Sequence, residues 1–226
     1  MPYKGPHIST PPEVLIPRVL GIDAATFATW PDAVREVALA AAAELFLIRY
    51  NPFVDHAACW KSASESFERS RYALAPEFAS AIGDGMARYW EAFKADWAFR
   101  EEIIRRCRAF LPEDAIDLRP NSRVECSTDA TDLRMELPLL VLQPGSTAEI
   151  QGVVRLAGEL GFALIPRGGG SGLTGGAIPG AGRSVILSLA RLRAILSVDE
   201  ETRVLCAQSG AITLTAIKAA AARNLL

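Results

Sequence analysis

Between Phe78 and Ile104 the apolar residues Phe78, Ile82, Met86, Tyr89, Phe93, Trp97 and Ile104 recur three, four or seven positions apart. That spacing lays one stripe along a helix, predicted from about Pro76 to Phe110, with the stripe as core. Gly83 and Gly85 weaken this helix near its start and mark a break. Upstream, Pro31 suits a first helical turn and Asp32 and Glu36 suit its positive end. Strong helix formers then run to about Arg49, with Val34, Val37, Leu45 and Ile48 as apolar positions, until Asn51-Pro52 ends the helix. A second helical piece is predicted over Ser62–Ala73. Residues 1–20 contain Pro2, Pro6, Pro11, Pro12 and Pro17 and read as an extended arm.

At Pro112 the pattern changes. Turn formers dominate residues 111–134, which separates a helical region, 21–120, from an α/β region, 126–226. Leu139-Leu140-Val141-Leu142 is a short continuous apolar run, as in a strand buried on both faces. Ser146-Thr147-Ala148-Glu149 has capping-box spacing, and Ile150, Val153, Val154, Ala157 and Leu160 follow helical spacing up to Gly161 at the C′ position. Phe162–Ile165 is the next strand, which completes a predicted βαβ unit. Ser184–Ser188 reads as a further strand. Ile195–Val198 and Arg203–Ala207 form a hairpin around Asp199-Glu200-Glu201, Ser209-Gly210 makes a tight corner, and Thr213 caps a last helix. The fold class is therefore α+β. Because that helix closes on Leu225-Leu226, the chain is expected to be a fragment.

Composition adds mainly exclusions. The 226 residues are 50% hydrophobic and 22% charged, with a net charge of −2. Nothing in that balance points to nucleic acid, and Arg100, Arg105, Arg106 and Arg108 interleave with Glu101 and Glu102 as a solvated face. No apolar run approaches the ~18 residues of a membrane span, and MPYKGPHISTPPEV lacks a signal-peptide core. The expected location is cytoplasmic. Cys59, Cys107, Cys126 and Cys206 are widely spaced, and the two histidines are His7 and His56. No metal site has its ligand spacing here, and the cysteines are expected as free thiols.

The candidate chemistry lies in Pro166–Pro179, PRGGGSGLTGGAIP, where six of fourteen residues are glycine. Such density suits backbone that turns through positive φ or lies against a ligand, and bare N–H groups suit phosphate oxygens. The loop leaves at a strand end, where ligands of α/β sheets bind. A P-loop fails because Gly176 stands where the lysine is required. Gly170, Gly172 and Gly175 spell G-x-G-x-x-G. The residues after them, Gly176 to Gly182, cannot start the helix that a dinucleotide turn requires.

A third reading rests on family resemblance. Pro138-Leu139-Leu140-Val141-Leu142-Gln143-Pro144, then Ile165–Pro179, then Ala207-Gln208-Ser209-Gly210 resemble the FAD-binding domain of the vanillyl-alcohol oxidase / p-cresol methylhydroxylase superfamily. Within it the chain is most similar to FAD-linked dehydrogenases of 2-hydroxy acids, the D-lactate dehydrogenase and glycolate oxidase subunit type. The likeness covers about Cys126 to Leu226. Arg49-Tyr50-Asn51-Pro52 and Ser127–Asp132 resemble long members with a helical N-terminal extension and iron–sulfur modules far downstream. The implied architecture is that helical region followed by the first α/β subdomain, and first half, of a p-cresol-methylhydroxylase-type FAD-binding domain.

The resemblance implies that Pro166, Arg167, Gly168, Gly169, Gly170, Ser171, Gly172, Leu173, Thr174, Gly175 and Gly176 wrap the FAD pyrophosphate. Ser209 and Gly210 approach from the next strand. Ser171 and Thr174 are hydroxyl donors; Arg167 either adds charge or pins the loop. Some relatives attach FAD covalently through a histidine in this loop. Ser171 stands at that position here, so binding is expected to be non-covalent. Asp129 and Asp132 are weighed as site carboxylates, but turn and cap roles account for them. No residue qualifies as the base that takes a substrate proton, and the catalytic residues are unknown. The expected partners are a small-molecule substrate and, in the intact protein, an electron acceptor or iron–sulfur module. The fragment alone is expected to be inactive. Two other readings remain: a non-catalytic fragment with a structural glycine loop, and an FAD oxidase of an alcohol or sugar.

Overall fold

The computed structural model describes residues 10–131, 136–180 and 183–225. The chain forms two compact units, the first ending at Ala98 and the second beginning at Phe99.

The first unit is helical: α1 (Pro12–Leu20), α2 (Ala24–Ala28), α3 (Asp32–Tyr50), α4 (His56–Arg71) and the first part of α5 (Pro76–Cys107). The extended arm is corrected over Pro12–Leu20; residues 1–9, with Pro2, Pro6 and His7, lie outside the described residues. Pro12 occupies the first turn, where its missing N–H costs nothing. Leu15, Ile16, Val19 and Leu20 are buried along one helical face, which outweighs the bond lost at the internal Pro17. Gly21 ends the helix at φ 68°. Asp23 and Asp55 cap α2 and α4 by accepting from the backbone N–H groups of Thr26 and Ala58, each at 2.9 Å.

The aromatic positions are core, as their spacing implies. Trp60 and Trp90 stack at 5.1 Å, and Phe78 meets Trp30 at 5.2 Å. The helix α5 is continuous through Gly83 and Gly85. Gly85 is there for proximity: a Cβ would stand 2.6 Å from the Leu20 carbonyl oxygen. The apolar stripe of α5 divides between cores. Ile82, Met86 and Phe93 serve the first, whereas Ile103, Ile104 and Cys107 join Leu140, Val153, Leu156 and Val185 in the second.

The second unit is built on β1 (Ile116–Asp117), β2 (Val141–Leu142), β3 (Ala163–Arg167) and β4 (Ser184–Ser188), in the order β1-β2-β4-β3. Between them lie α6 (Pro120–Glu125) and α7 (Thr147–Leu160). Strand β4 runs parallel to both β2 and β3; β1 and β2 are antiparallel. The predicted β2–α7–β3 unit therefore skips a strand, because β4 is inserted between its two strands. The reason is burial: every residue of β4 is buried, as a central strand requires. Strand β3 carries Pro166, which has no N–H to donate and suits an outer position.

The capping box forms with one change. Ser146 accepts from the Glu149 N–H at 3.2 Å, while the Glu149 carboxylate accepts from Gly145 rather than from Ser146. Gly161 closes α7 at φ 74°. The hairpin forms from β5 (Ile195–Asp199) and β6 (Val204–Ala207), and the Asp199 carboxylate holds its turn through the Glu201 and Thr202 N–H groups. Helix α8 spans Thr213–Ala221. Thr213 is its first residue and not its cap; Ile212 holds the cap position and has no side-chain acceptor. Leu226 lies outside the described residues. No helix among the described residues is long and apolar enough to cross a membrane.

One buried carboxylate ties the start of the sheet together. Asp117, 6% exposed, accepts from Arg119 Nε at 2.9 Å and Nη2 at 2.6 Å, from Ser122 Oγ at 2.7 Å and from Gln143 Nε2 at 3.0 Å. The Arg119 hydrogen bonds, offset by burial and aided by Ser122, pull its pKa down to about 2. An unfolded aspartate titrates near ~3.9. The stabilisation is thus complete above about pH 4 and is lost as pH falls through about 2. Asp117→Asn is expected to cost about 2 kcal/mol near neutrality. In denaturant titrations the gap from wild type should close between about pH 4 and pH 2; a gap independent of pH would rule out the carboxylate as its source.

Candidate functional site

Strand β3 delivers the glycine loop at its C-terminal end. The ladder closes with Leu189 donating its N–H to the Arg167 carbonyl at 2.8 Å, so the loop starts from fixed backbone. It then turns through Gly170 at φ 67° and Gly175 at φ 73°. Ser171, Gly172, Leu173 and Thr174 are exposed, and the loop is anchored again where Ile178 and Pro179 are buried. Residues 168–180 contain no helix, as the rejection of a dinucleotide turn requires. A parallel crossover made without a helix is uncommon, and here the glycine loop itself makes it.

Two distant pieces named by the resemblance meet here. A Cβ on Gly168 would lie 3.7 Å from the Ser209 carbonyl oxygen, so the Ser209-Gly210 corner stands against the root of the loop. The corner is held by close backbone packing: Gly210 donates to the Leu192 carbonyl at 2.8 Å, and a Cβ there would fall 1.8 Å from the Leu189 carbonyl oxygen. The outer loop has room. A Cβ on Gly169 would meet nothing closer than Ser171 Oγ at 3.9 Å, and one on Gly172 nothing within 4 Å. Backbone free of side chains and open on one side fits a pyrophosphate cradle.

Arg167 is turned back onto its own loop. Its Nη1 donates to the Ala177 carbonyl at 3.1 Å and its Nη2 to that of Glu125 at 3.4 Å. Nothing in the local sequence marks those two carbonyls as its acceptors. Asp129 forms an Asx turn, accepting from Thr131 N at 2.8 Å, which with the Thr131 hydroxyl holds its pKa below the ordinary value; Arg167 adds to this. Its Oδ2 is buried without a hydrogen-bond partner among the described residues. Asp132 lies outside the described residues. His56 belongs to the first unit, packed on Phe93 and Trp97, and is part of the helical core.

Comparison with known proteins places this geometry. Residues 138–226 match the family described as FAD binding domain. The fold is that of the p-cresol methylhydroxylase type: the structure of p-cresol methylhydroxylase with substrate bound superposes with a TM-score of 0.50 at 20% identity, covering 57% of this chain and 25% of that one. Residues 138–226 are thus similar to FAD-binding domains, which supports FAD as the cofactor of this segment. Among its relatives are the glycolate oxidase subunit GlcD of Bacillus subtilis, 35% identical over 46% of this chain and 22% of the relative, and the D-2-hydroxyglutarate dehydrogenase of Xanthomonas citri pv. viticola, 42% identical over 32% and 15%. The D-lactate dehydrogenase of Archaeoglobus fulgidus is 33% identical over 55% of this chain and 26% of its own length. The chain therefore spans about a quarter or less of the length of these relatives.

Proposed function

We propose that this chain supplies the pyrophosphate-binding part of an FAD-dependent oxidoreductase that oxidises a small 2-hydroxy acid and passes the electrons to a carrier. The observation that carries the reading is the meeting of Gly168 with the Ser209-Gly210 corner at the end of β3, within the FAD-binding match. On this reading Pro166–Gly176 lies against the pyrophosphate, and backbone N–H groups of the loop meet its oxygens. On the same reading the hydroxyls of Ser171 and Thr174 add donors to phosphate, and Ser209-Gly210 approaches from the next strand. Bound FAD supplies the two-electron acceptor for the substrate carbon. Ser171 has no ring nitrogen to form a flavin link, so the cofactor is held non-covalently. The flavin-binding portion is read as beginning near Cys126, with the helical first unit, which ends at Ala98, as an extension. The relatives, named for glycolate, D-2-hydroxyglutarate and D-lactate, favour a 2-hydroxy acid over an alcohol or a sugar.

The test is anaerobic mixing of the intact flavoprotein with glycolate, D-lactate and D-2-hydroxyglutarate, followed by flavin absorbance. At least one acid should bleach the oxidised flavin band while ethanol and glucose leave it unchanged. Bleaching by the alcohol or the sugar alone would overturn the substrate class.

A further inference from the structure

The charge nearest the glycine loop is spent on the loop itself. The Arg167 guanidinium occupies the space that a side chain on Gly170 would fill: a Cβ there would stand 2.1 Å from Nη2 and 2.5 Å from Cζ. With Gly170 at φ 67°, the loop bends around this group. The same group bonds the Ala177 carbonyl at the far end of the loop and that of Glu125, the last residue of α6. Its charge also reaches Asp129 and Cys126, opposing the effect of burial on the thiol.

We infer that Arg167 is a positioning residue, a staple that sets the curvature of the cofactor loop, and that the pyrophosphate is met there by backbone N–H groups and not by this guanidinium. The inference rests on the reading of 166–176 as the FAD site. A planar fork with donors diverging from one carbon is what the two carbonyls and Gly170 require. Lysine offers a point charge on a flexible stem and cannot reproduce that geometry, although it is a good phosphate ligand. The two roles therefore predict opposite outcomes for the conservative substitution.

Arg167→Lys and Arg167→Gln are compared with wild type in two measurements. In hydrogen exchange of the cofactor-free chain, the hydrogen-bonded amides at the two ends of the loop, Ile178 and Leu189, should exchange about tenfold faster in both variants. In FAD titrations of the intact flavoprotein at low and high salt, both variants should bind about tenfold more weakly, lysine no better than glutamine, with the salt dependence of wild type. Wild-type affinity in Arg167→Lys, or a flattened salt dependence in Arg167→Gln with unchanged exchange, would make Arg167 a phosphate ligand and overturn the staple. The exchange measurement needs no flavin. An intact protein that takes up no FAD would refute the site reading, and the staple would still be decided by exchange.

Discussion

Gly169→Val is expected to leave the intact protein folded and to strip it of flavin. Gly169 is not in the positive-φ region, and a Cβ there meets nothing closer than 3.9 Å, so the backbone of the apo loop accepts a side chain at this position. Its methyl groups would instead occupy the open side of the loop, where backbone and pyrophosphate must come within hydrogen-bond distance. Loss of that approach should weaken FAD by about 100-fold or more, or about 2.7 kcal/mol. Flavin absorbance of the purified variant and an FAD titration measure the loss, and a melting curve that matches flavin-free wild type shows that the fold survives. Wild-type flavin content would remove the pyrophosphate from this loop.

Gly210→Ala works the other way, through the protein and before any ligand. A single methyl at Gly210 would lie 1.8 Å from the Leu189 carbonyl oxygen and 2.9 Å from that of Leu192. Both contacts are backbone, so no rotamer change relieves them, and the 189–192 turn or the Ser209 corner must move. We expect destabilisation of about 3 kcal/mol or more, at the upper end for one substitution. Denaturant unfolding measures this directly. FAD affinity should fall as well, because the corner is what sets Ser209 against Gly168. A variant as stable as wild type would show that the corner is not fixed by this packing.

Local chemistry was the most legible part of the chain. Ser146, Glu149 and Gly161 delimit α7 by rules confined to a few residues, and the Asp199 turn is of the same kind. The strand order was not legible, because the insertion of β4 between β2 and β3 depends on which strand needs both faces covered. Nor was α1, where burial of Ile16 and Leu20 overrides a proline-rich composition. The site divides in the same way. The loop and the corner could be read as motifs, but the contact of Gly168 with Ser209 joins residues far apart in the chain, and the acceptors of Arg167 are carbonyls that any residue could supply.

The helix-free crossover has a bearing on how the protein acquires its sheet. Strands β3 and β4 pair in parallel across sixteen intervening residues, 168–183, so their ladder cannot form until that span is closed. The entropy of closure falls on a glycine-rich segment with many conformations to lose and, among its described residues, no helix as partial return. Pairing of this non-local kind is slow. Until it occurs Val185-Ile186-Leu187, which ends at most 4% exposed, is an uncovered β-forming run available to other chains. The proposed cofactor loop therefore also governs the rate at which the nascent chain hides this apolar strand.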